Sequence, residues 1–573
     1  MDKVHPLENL RHSLAHLLAA AVMELWPNTK RAIGPVIENG FYYDFEFAEP
    51  ISESDLPKIE KKMGEILLTW KEFRRTEISA DEARVEFSDN LYKLELIDEF
   101  SKNGETLTLY QSGNYVDLCR GGHVGNASDI DPDAFKLTRL AGAYWRGSEK
   151  NPQLTRIYGV AFDTKQKLDE YLAMLEEAEK RDHKKLGPQL DLFMFHETAP
   201  GMPYWLPKGV LLYNTLIEFW RKEHQKRNYH EIVSPLVNKR RLYEISGHYE
   251  HYWENMFVSK TPDEEEYGLK AMNCPNAMIV FGSKLRSYRD LPLRFSDTDP
   301  LHRYELSGTL NGLFRVREFR QDDAHCFVTE DQIGEEYQNI FEIVERFYSI
   351  FNLPYFFRLG TRPESFLGDI ETWDTAEATL KTLLEESGKQ YLVEEGDGAF
   401  YGPKIDIIMK DTLGREWQMG TIQLDFQQPR RFKLGYIDED GKEKTPVAIH
   451  RVIYGSLERF IGILIEHYAG AFPFWLAPVQ ATLLPINDKN KGYVSSVAAK
   501  LKTEGIRLDI DERNESIGKK IREAEMQKIP YLLVIGNKEA EAGTVALRKR
   551  GDGDQGSVAI DDCVKKFKEE NIV

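Results

Sequence analysis

The segment that most constrains this chain is Asp299–Phe327, which reads DPLHRYELSGTLNGLFRVREFRQDDAHCF. Two apolar, strand-like runs, Leu301–Tyr304 and Leu313–Phe319, flank a polar loop with two glycines. This pattern predicts a hairpin with a flexible tip. Planar guanidinium groups suit phosphate oxygens because they donate two parallel hydrogen bonds, and the alternative is a surface hairpin with internal ion pairs. The ionisable residues of the segment are Arg303, Glu305, Arg315, Arg317, Arg320, Asp322, Asp323 and His325.

The length of 573 residues is too great for one hydrophobic core and predicts three or four domains. Hydrophobic residues make up 41% and charged residues 29%, as in globular proteins. We expect no membrane association and a cytoplasmic location, because the sequence shows neither a membrane-spanning apolar run nor a signal peptide at its start. Four cysteines in so long a chain argue against a disulfide framework.

The net charge of −19 does not indicate a nucleic-acid-binding protein, yet binding needs a local basic surface rather than a basic total. Three short runs could form such a surface: KRDHKK at Lys180–Lys185, RRFK at Arg430–Lys433 and RKR at Arg548–Arg550. The alternative for each run is ordinary solvated surface.

Residues 8–26 predict an apolar helix that ends before Pro27. His12 and His16 are four residues apart and therefore share one helix face. The later run YVDLCRGGH predicts a strand leading into a glycine turn, with Cys119 and His123. These four residues could be metal ligands or a polar catalytic cluster, whereas the histidine pair by itself could be two partly buried helix residues.

Residues 164–186 predict one charged amphipathic helix, stopped by Gly187 and Pro188, that connects to the next domain. A long helix and a strand containing Pro235 follow. The runs GAFYGPKIDIIMKD and REWQMGTIQLDFQQP predict antiparallel strands, and a helix is expected from about Ser456. Beyond residue 473, strand and helix patterns alternate over about 100 residues, which predicts a small α/β domain.

The motif Arg303-x-Glu305 with the later FRQDDAHCF resembles motif 2 of the class II aminoacyl-tRNA synthetases, and RVREFRQDDAH is similar to the threonyl-tRNA synthetase family of bacterial type. The helix and strand around Pro235 resemble motif 1, and Gly455–Phe460 resembles motif 3. The resemblance spans nearly the whole chain and implies an α+β multidomain fold. Its expected domains are an α/β editing domain (1–163), a linker helix (164–186), a class II antiparallel-sheet catalytic core (187–472) and an α/β anticodon-binding domain (473–573).

The resemblance implies a threonine–tRNA ligase that activates threonine with ATP, transfers it to the 3′ end of tRNA(Thr) and hydrolyses mischarged Ser-tRNA(Thr). Arg303 is expected at the α-phosphate and Arg459 near the γ-phosphate. Glu305 is expected at the adenine amino group, with Gln418 assisting at the α-phosphate and Mg²⁺ bridging the phosphates. Arg315 completes the expected ATP site. Expected partners are ATP, L-threonine, tRNA(Thr) and a second copy, in a homodimer formed through the catalytic domain.

The same resemblance implies one Zn²⁺ per subunit, held in the catalytic domain by Cys274, His325 and His450. Three protein ligands leave a coordination position open, as catalytic zinc requires. Threonine would fill that space with its amino group and hydroxyl and would contact Asp323, Tyr401 and Met272. Valine should be rejected because it leaves the metal unsatisfied.

Serine keeps the hydroxyl and lacks one methyl group, a difference of roughly 1–3 kcal/mol that is too small for accurate translation. The resemblance therefore implies a second, hydrolytic site, and the segments Ala32–Phe45 and Ala141–Gly147 are similar to the editing domain of this family. We expect no tightly held metal there. The expected editing residues are His12, His16, Lys93, Asp117, Cys119 and His123.

Four residues of the C-terminal domain fall where the family contacts anticodon bases. Arginine and asparagine suit base edges, and glutamate can accept a hydrogen bond from an amino group, although a structural ion-pair network is the alternative. These residues are Asn514, Arg522, Glu539 and Arg548.

The chain departs from the family at three places. Asn276-Ala277 replaces the usual Gly-His after Cys274, Glu318 and Arg320 are charged where smaller or uncharged residues are usual, and no small domain precedes the editing domain. Two other functions were weighed: a non-catalytic relative that binds RNA as a regulator, and another class II specificity such as proline or serine. The intact ATP and zinc residues argue against the first, the zinc set against proline and the editing domain against serine.

Overall fold

The structure, a computed structural model, describes residues 6–572 of the chain. The chain divides into two compact units, Met1–Glu177 and Ala178–Val573, which are described separately below. Within the described range, no helix is both long enough and apolar enough to cross a membrane. The predicted domain boundaries after residues 163, 186 and 472 stay predictions.

The first unit is built on the helix Pro6–Leu25, which ends before Pro27 as expected. Leucine and alanine side chains of this helix are buried against the helix Leu56–Leu67 and against Phe41 and Phe45 of the neighbouring sheet. All strand pairs of this sheet are antiparallel. Its strands are, in spatial order, Lys30–Arg31, Gly40–Glu46, Gln153–Ala161 and Phe135–Tyr144, with Val36–Ile37 also paired to the second of these.

A smaller antiparallel sheet of the same unit carries the predicted glycine turn. Its strands are Arg74–Glu77, Thr108–Ser112 and Tyr115–Leu118, and the helices Ala80–Glu86 and Leu91–Lys102 lie between them in sequence. After Leu118 the chain turns through Gly121 and Gly122, whose φ angles are +106° and +90°. A side chain on Gly121 would also strike the Tyr110 hydroxyl, 2.5 Å from the Cβ position. The prediction of a strand and glycine turn is therefore confirmed.

The prediction of one helix over residues 164–186 is wrong. The helix Lys165–Arg181 ends, and Asp182 begins a second helix, His183–Gln189, by accepting a hydrogen bond from the Lys184 N–H at 2.8 Å. The second helix continues through Gly187 and Pro188. Gly187 does not act as a helix breaker but allows close packing, because a Cβ there would lie 2.2 Å from the Phe193 ring. Asp182 is the stronger local signal, since aspartate is among the best residues at a helix start.

The second unit contains an eight-stranded sheet in which the inner pairs are antiparallel and the two outermost pairs are parallel. The helices Pro207–Gln225, Ile333–Ser349 and Leu457–His467 pack on it in one large apolar core. The last of these begins at the expected place, because the Ser456 side chain accepts a hydrogen bond from the Arg459 N–H. The strands are, in spatial order, Tyr229–Glu231, Leu293–Asp297, Asp323–Val328, Val447–Val452, Glu416–Asp425, Lys404–Lys410, Tyr355–Gly360 and Tyr391–Glu394.

The predicted hairpin is present, but its arms are shorter than expected. Strands Pro300–His302 and Glu318–Arg320 pair with Leu301 opposite Phe319. Leu313 and Phe314, expected in the second arm, lie instead in the main core of the unit. Burying these two apolar side chains in the core is more favourable than strand pairing, because it removes more apolar surface from water.

Pro235 also lies outside the strands, between Tyr229–Glu231 and Val237–Lys239, so the predicted strand through this proline is wrong. A proline has no N–H to donate to a sheet, which explains the interruption. Val237–Lys239 instead pairs with Glu266–Leu269 in a separate three-stranded sheet that also contains Val258–Lys260. Other helices of the region are Arg240–Ser246, His248–Tyr252, Cys274–Phe281, Ile370–Ser387 and Gln428–Arg431.

The C-terminal part has the expected alternation of strands and helices and adds a final strand and helix. Its apolar core is formed mainly by the strands Ala481–Pro485 and Tyr531–Ile535 with the helices Lys491–Thr503 and Ile560–Glu570. In spatial order the strands are Leu508–Ile510, Ala481–Pro485, Tyr531–Ile535, Thr544–Lys549 and Gly553–Ala559, and the remaining helices are Ile517–Met526 and Asn537–Ala542.

A helical glycine of the second unit tests this packing. In the first turn of the helix Pro207–Gln225, a Cβ on Gly209 would lie 1.9 Å from the Leu192 carbonyl oxygen, whereas Gly518, in the first turn of another helix, has open space. Gly209→Ala should destabilise the unit by about 1–3 kcal/mol, since backbone cannot move aside cheaply. Gly518→Ala should leave stability unchanged or raise it by up to about 1 kcal/mol. Thermal unfolding followed by circular dichroism distinguishes them, and equal melting temperatures would contradict the packing described.

Candidate functional site

Three expected metal ligands meet in the second unit. His325 and His450 are direct partners in the pairing of two adjacent strands, so their side chains leave the sheet on the same face. Cys274, the first residue of its helix, brings a thiol to the same place. All three residues are buried, and their candidate ligand atoms lie within 4.8 Å of one another. The sequence spacing gave no sign of this convergence, which the sheet register produces.

The surroundings of this cluster fit a divalent metal. The Asp425 carboxylate lies 2.8 Å from Nε2 of His450, which leaves Nδ1 of that ring available. Nδ1 of His325 is buried without a hydrogen-bond partner among the described residues. Burial raises the pKa of the Cys274 thiol well above its ordinary value, so a thiolate here requires a cation beside it. A thiolate and two imidazoles form the donor set that zinc prefers.

The residues expected to contact threonine lie around this cluster. Burial raises the pKa of Asp323 to about 6, and its carboxylate accepts a hydrogen bond from Asn273 at 3.2 Å. The Tyr401 ring lies 5.3 Å from the His450 ring, and its hydroxyl donates to Gln423. Met272 packs instead against the aromatic cluster around Tyr243.

Two of the arginines expected to bind ATP have fixed positions. Arg459 donates from Nε to the Phe314 carbonyl at 3.0 Å and from one terminal nitrogen to the Gln418 carbonyl at 3.3 Å. Arg303 donates to the Ala271 carbonyl at 3.3 Å and lies 5.0 Å over the Phe319 ring. Burial, followed by the positive charges of Arg315 and Arg303, lowers the pKa of Arg459. This group of cations therefore creates a positive field suited to an anion.

The other expected ATP residues are paired with neighbours. Glu305 forms a 2.9 Å ion pair with Arg315, and the side-chain oxygen of Gln418 accepts a hydrogen bond from Arg358 at 3.1 Å. Both pairs lie near the surface, where such contacts contribute little to stability and exchange readily for contacts with a ligand.

Sequence reasoning missed several residues of this site. His248 Nε2 lies 4.0 Å from the Cys274 sulfur, and burial lowers the pKa of this histidine to about 3. No spacing signal in the sequence pointed to it. Asn276, at the first departure from the family, donates to Ser234 Oγ at 3.2 Å and to the Pro235 carbonyl at 3.3 Å. Asn276 thus ties the helix that begins at Cys274 to the segment around Pro235.

Glu318 and Arg320, the two charged residues at which the hairpin differs from the family, also have partners. Glu318 lies 3.7 Å from His302 across the hairpin. Arg320 donates from its side chain to the Thr298 carbonyl at 2.7 Å, and its backbone N–H donates to the buried Glu458 carboxylate at 3.0 Å. These contacts hold the base of the hairpin against the start of the helix Leu457–His467.

The first unit gathers the second expected cluster. The Cys119 sulfur lies 3.4 Å from Nε2 of both His12 and His123, and the ligand atoms of these residues and His16 fall within 4.8 Å of one another. Burial raises the pKa of Cys119 to about 12 and lowers that of His16 to about 3. Burial also lowers the pKa of His12 and His123, so the cluster holds neutral imidazoles around a protonated thiol at neutral pH.

Asp117 holds positively charged side chains next to this cluster. Its carboxylate forms a 2.7 Å ion pair with Lys93 and accepts hydrogen bonds from the hydroxyls of Tyr43 and Tyr115. Although burial opposes it, the charges of Lys93 and Arg31 hold the pKa of Asp117 well below its ordinary range. A cavity of about 340 Å³ opens beside this group. Five of the six expected editing residues line it: His12, His16, Lys93, Asp117 and Cys119.

The four residues expected to contact the anticodon are more dispersed. Asn514 and Arg522 are exposed, in a loop and on the following helix. Glu539 accepts a hydrogen bond from the Gly536 N–H at 2.8 Å and so caps its own helix. Arg548 lies 3.6 Å from Asp554 in the neighbouring strand. Arg548 therefore forms an ion pair of the kind that the structural alternative requires, whereas Asn514 and Arg522 are exposed.

Three family models match the chain. The class II core domain of the tRNA synthetases for G, H, P, S and T matches residues 254–468, the anticodon-binding domain matches residues 480–570, and the second additional domain of threonyl and alanyl tRNA synthetases matches residues 107–158. The last match contains the glycine turn of the first unit.

Relatives that match nearly the whole chain belong to the same group of synthetases. The threonine–tRNA ligases of Clostridium botulinum (strain Okra / Type B1) and Acetivibrio thermocellus are each 51% identical over 98% of this chain and 88% of their own length. A solved structure titled as the RNA-binding domain of threonyl-tRNA synthetase from Cryptosporidium parvum matches with a TM-score of 0.67 at 42% identity, over 68% of this chain and 99% of its own. A putative threonyl-tRNA synthetase from Aeropyrum pernix matches with a TM-score of 0.60 at 28% identity, over 68% and 96%.

The buried histidines predict that the stability of the first unit depends on pH. The folded pKa of His16 is about 3 against an ordinary value of 6.5. The unfolded chain therefore binds a proton first as the pH falls, so stability is full above pH 6.5 and declines towards pH 3. His16→Met should reduce this decline by up to about 1.4 kcal/mol per pH unit. Hydrogen exchange of peptides from residues 6–25 measures it, with the exposed His230→Gln as control, and an unchanged slope in His16→Met would refute it.

Proposed function

The chain belongs to the threonyl-tRNA synthetase family, and we propose how its residues divide the family's chemistry between the two units. It is a class II threonine–tRNA ligase with an anticodon-binding domain and an editing domain. The observation that carries the assignment of residues is the direct pairing of His325 with His450 beside Cys274, because it brings three candidate ligand atoms within 4.8 Å of one another.

In the second unit, Cys274, His325 and His450 would hold one Zn²⁺. When bound, the metal would supply a Lewis acid for the amino group and the hydroxyl of threonine. Asp425 orients the His450 ring through its 2.8 Å contact. Asp323 faces the amino group as a carboxylate, while Tyr401 closes the pocket over the amino acid. Met272 stays a predicted contact whose support is its place two residues before Cys274.

Activation requires the threonine carboxylate to attack the α-phosphate of ATP while pyrophosphate leaves. Negative charge gathers on the phosphates in the transition state, so fixed cations accelerate the step. Arg303 meets the α-phosphate and Arg459 the γ-phosphate, with Mg²⁺ accompanying ATP. The backbone carbonyls of Phe314 and Gln418 hold Arg459 in place before ATP arrives. When ATP binds, Glu305 exchanges its ion pair with Arg315 for the adenine amino group, and the Gln418 side chain exchanges Arg358 for the α-phosphate. Arg315 then binds the triphosphate.

In the first unit, the 340 Å³ cavity would take the aminoacylated 3′ end of tRNA(Thr). Water attacks the ester carbonyl of Ser-tRNA(Thr), and the neutral imidazole of His12, which lines the cavity, accepts its proton. The ester C–O bond then breaks, and the imidazole returns the proton to the departing 3′ oxygen of the tRNA as serine is released. Cys119 is a hydrogen-bond donor there and not a nucleophile, because its pKa is about 12. Lys93 stays charged beside Asp117 and faces the tRNA end. The expectation that no metal is tightly held there stays a prediction.

Three further parts of the proposal concern the anticodon, a second copy of the chain and the location in the cell. Asn514, Arg522, Glu539 and Arg548 belong to the domain that would contact the anticodon, and the free surface of the first two favours them. A homodimer through the catalytic domain is supported by Val210 and Leu211, each 41% exposed on the long helix Pro207–Gln225. The cytoplasmic location stays a prediction.

Removing a ligand tests the metal assignment. Cys274→Ser should lose the bound zinc and lower threonine-dependent ATP–pyrophosphate exchange by more than about 100-fold, because several kcal/mol of charge stabilisation disappear. Cys326→Ala, on the same strand as His325, should keep both. Metal analysis of the purified enzymes with the exchange assay measures this, and full exchange by Cys274→Ser without zinc would overturn the assignment.

Removing the thiol of the first unit tests the editing assignment. Cys119→Ala should let Ser-tRNA(Thr) persist, with deacylation slowed by about 10- to 1000-fold, since a positioned donor is lost. Charging with threonine should not change. Cys563→Ala, far from the cluster in sequence, is the control. Deacylation of purified Ser-tRNA(Thr) measures the effect, and a wild-type rate for Cys119→Ala would remove Cys119 from the site.

A further inference from the structure

His183 has no role in the chemistry described so far, although the sequence pattern placed it in a basic run, Lys180–Lys185, suited to RNA. The side chain is completely buried. It therefore cannot contact RNA, and it forms the first residue of the helix His183–Gln189. A fully buried imidazole needs partners for both ring nitrogens, so its contacts indicate what it does.

Both ring nitrogens of His183 are used, and by different parts of the unit. Nδ1 lies 2.7 Å from the Glu466 carboxylate, near the end of the helix Leu457–His467. Nε2 lies 3.0 Å from the backbone nitrogen of Leu313. Because an N–H donates and a carboxylate accepts, these partners fix the tautomer: Nδ1 carries the hydrogen, and Nε2 accepts from Leu313.

Glu466 is itself held in place. Although burial opposes it, hydrogen bonds from His183 and Arg415 hold the pKa of Glu466 below its ordinary value, so it is charged. Arg415 also pairs with Asp411 at 2.7 Å. His183 therefore bonds to a fixed carboxylate on one side and to the hairpin on the other.

The contact with the hairpin leads directly to an ATP arginine. The residue after Leu313 is Phe314, whose carbonyl accepts from Nε of Arg459 at 3.0 Å. The Phe314 ring lies between the rings of His183, at 4.1 Å, and Trp417, at 4.6 Å. Trp417 precedes Gln418, which supplies the second carbonyl that holds Arg459. The imidazole thus contacts the residue that carries the first anchor of this guanidinium, and it reaches the second anchor only through the Phe314 and Trp417 rings.

Gly312 shows how closely the hairpin loop approaches the His183 ring. Its φ is +50°, and a Cβ there would lie 2.3 Å from Nε2 of His183. Real Cβ atoms do not tolerate that distance, so any side chain at this position would push the hairpin off the imidazole.

A metal site is the competing interpretation, because Asp182, His183 and Glu466 place ligand atoms within 4.8 Å of one another. However, Nε2 of His183 is occupied by Leu313, and both Glu466 oxygens accept hydrogen bonds from His183 and Arg415. No imidazole lone pair is left to bind a metal. The contacts favour a structural link between helix and hairpin.

We propose that His183 is a positioning residue for ATP: its Nε2 holds the hairpin loop at Leu313, so that the neighbouring Phe314 carbonyl keeps Arg459 in position for the triphosphate. The proposal rests on the ATP-binding role of Arg459 given above. The residue lies about 130 positions before the hairpin it positions, so no motif in the sequence connects the two.

Two substitutions separate the two ring nitrogens. His183→Gln places an acceptor near the Nε2 position and can keep the bond from Leu313, whereas His183→Asn keeps a donor near Nδ1 and loses that bond. In ATP–pyrophosphate exchange, His183→Asn should raise the KM for ATP about 10-fold or more with the KM for threonine unchanged. His183→Gln should stay within about 3-fold of wild type for both substrates.

Gly312→Ala is the second variant and keeps the imidazole. It should also raise the KM for ATP selectively, and combining it with His183→Asn should add little, because both act on the same contact. If His183→Asn fails to fold, Gly312→Ala decides the question. Lys185→Ala, an exposed neighbour in the same helix, should match wild type.

The outcomes distinguish this proposal from the function on which it depends. Full exchange by Arg459→Ala would remove the proposed ATP site. Loss of exchange by Arg459→Ala, with equal effects of Asn and Gln at position 183 or equal changes in both KM values, would overturn only the role of His183. A selective rise in the KM for ATP in His183→Asn and Gly312→Ala, restored by Gln, supports it.

Discussion

The pairing of the strand Asp323–Val328 with the strand Val447–Val452 is the constraint on which the rest of the second unit depends. It sets His325 directly opposite His450 and Ala324 opposite Arg451. Because side chains alternate between the two faces of a sheet, a shift of one residue would send one histidine to the other face and separate the ligands. The proposed metal site is therefore a property of the register, to which the helix carrying Cys274 adds the third candidate ligand.

The same two strands carry buried charge that shapes the next motif. Asp322, completely buried, accepts hydrogen bonds from the backbone N–H groups of Ile453, Tyr454 and Gly455. Burial raises the pKa of this carboxyl group to about 7, and the bonds from the turn offset part of that cost. The turn leads into the helix Leu457–His467, so the carboxylate helps to direct Arg459. The proposed threonine site and the proposed ATP site thus depend on the same two central strands of the sheet.

Much of this could be predicted from the sequence because the chemistry there is local. The strands Lys404–Lys410 and Glu416–Asp425, the helix after Ser456 and the turn after Leu118 carry periodic patterns and glycines that need positive φ. The linker helix, the arms of the hairpin and the strand through Pro235 were wrong for different reasons. Two causes are local, because Asp182 begins a new helix and Pro235 has no N–H for a sheet. The third is long-range, because Leu313 and Phe314 are buried in the main core among residues distant in sequence. The roles of His248 and His183 also depend on distant contacts that spacing cannot show.

We infer that the register of two strands builds a three-ligand zinc site that accepts threonine. Zinc K-edge X-ray absorption of the purified enzyme, with and without threonine, tests this inference. The spectrum should show one sulfur ligand at about 2.3 Å and two imidazole nitrogens at about 2.0–2.1 Å, with lighter ligands that change when threonine is added. A spectrum with four protein ligands, or one that threonine leaves unchanged, would contradict it.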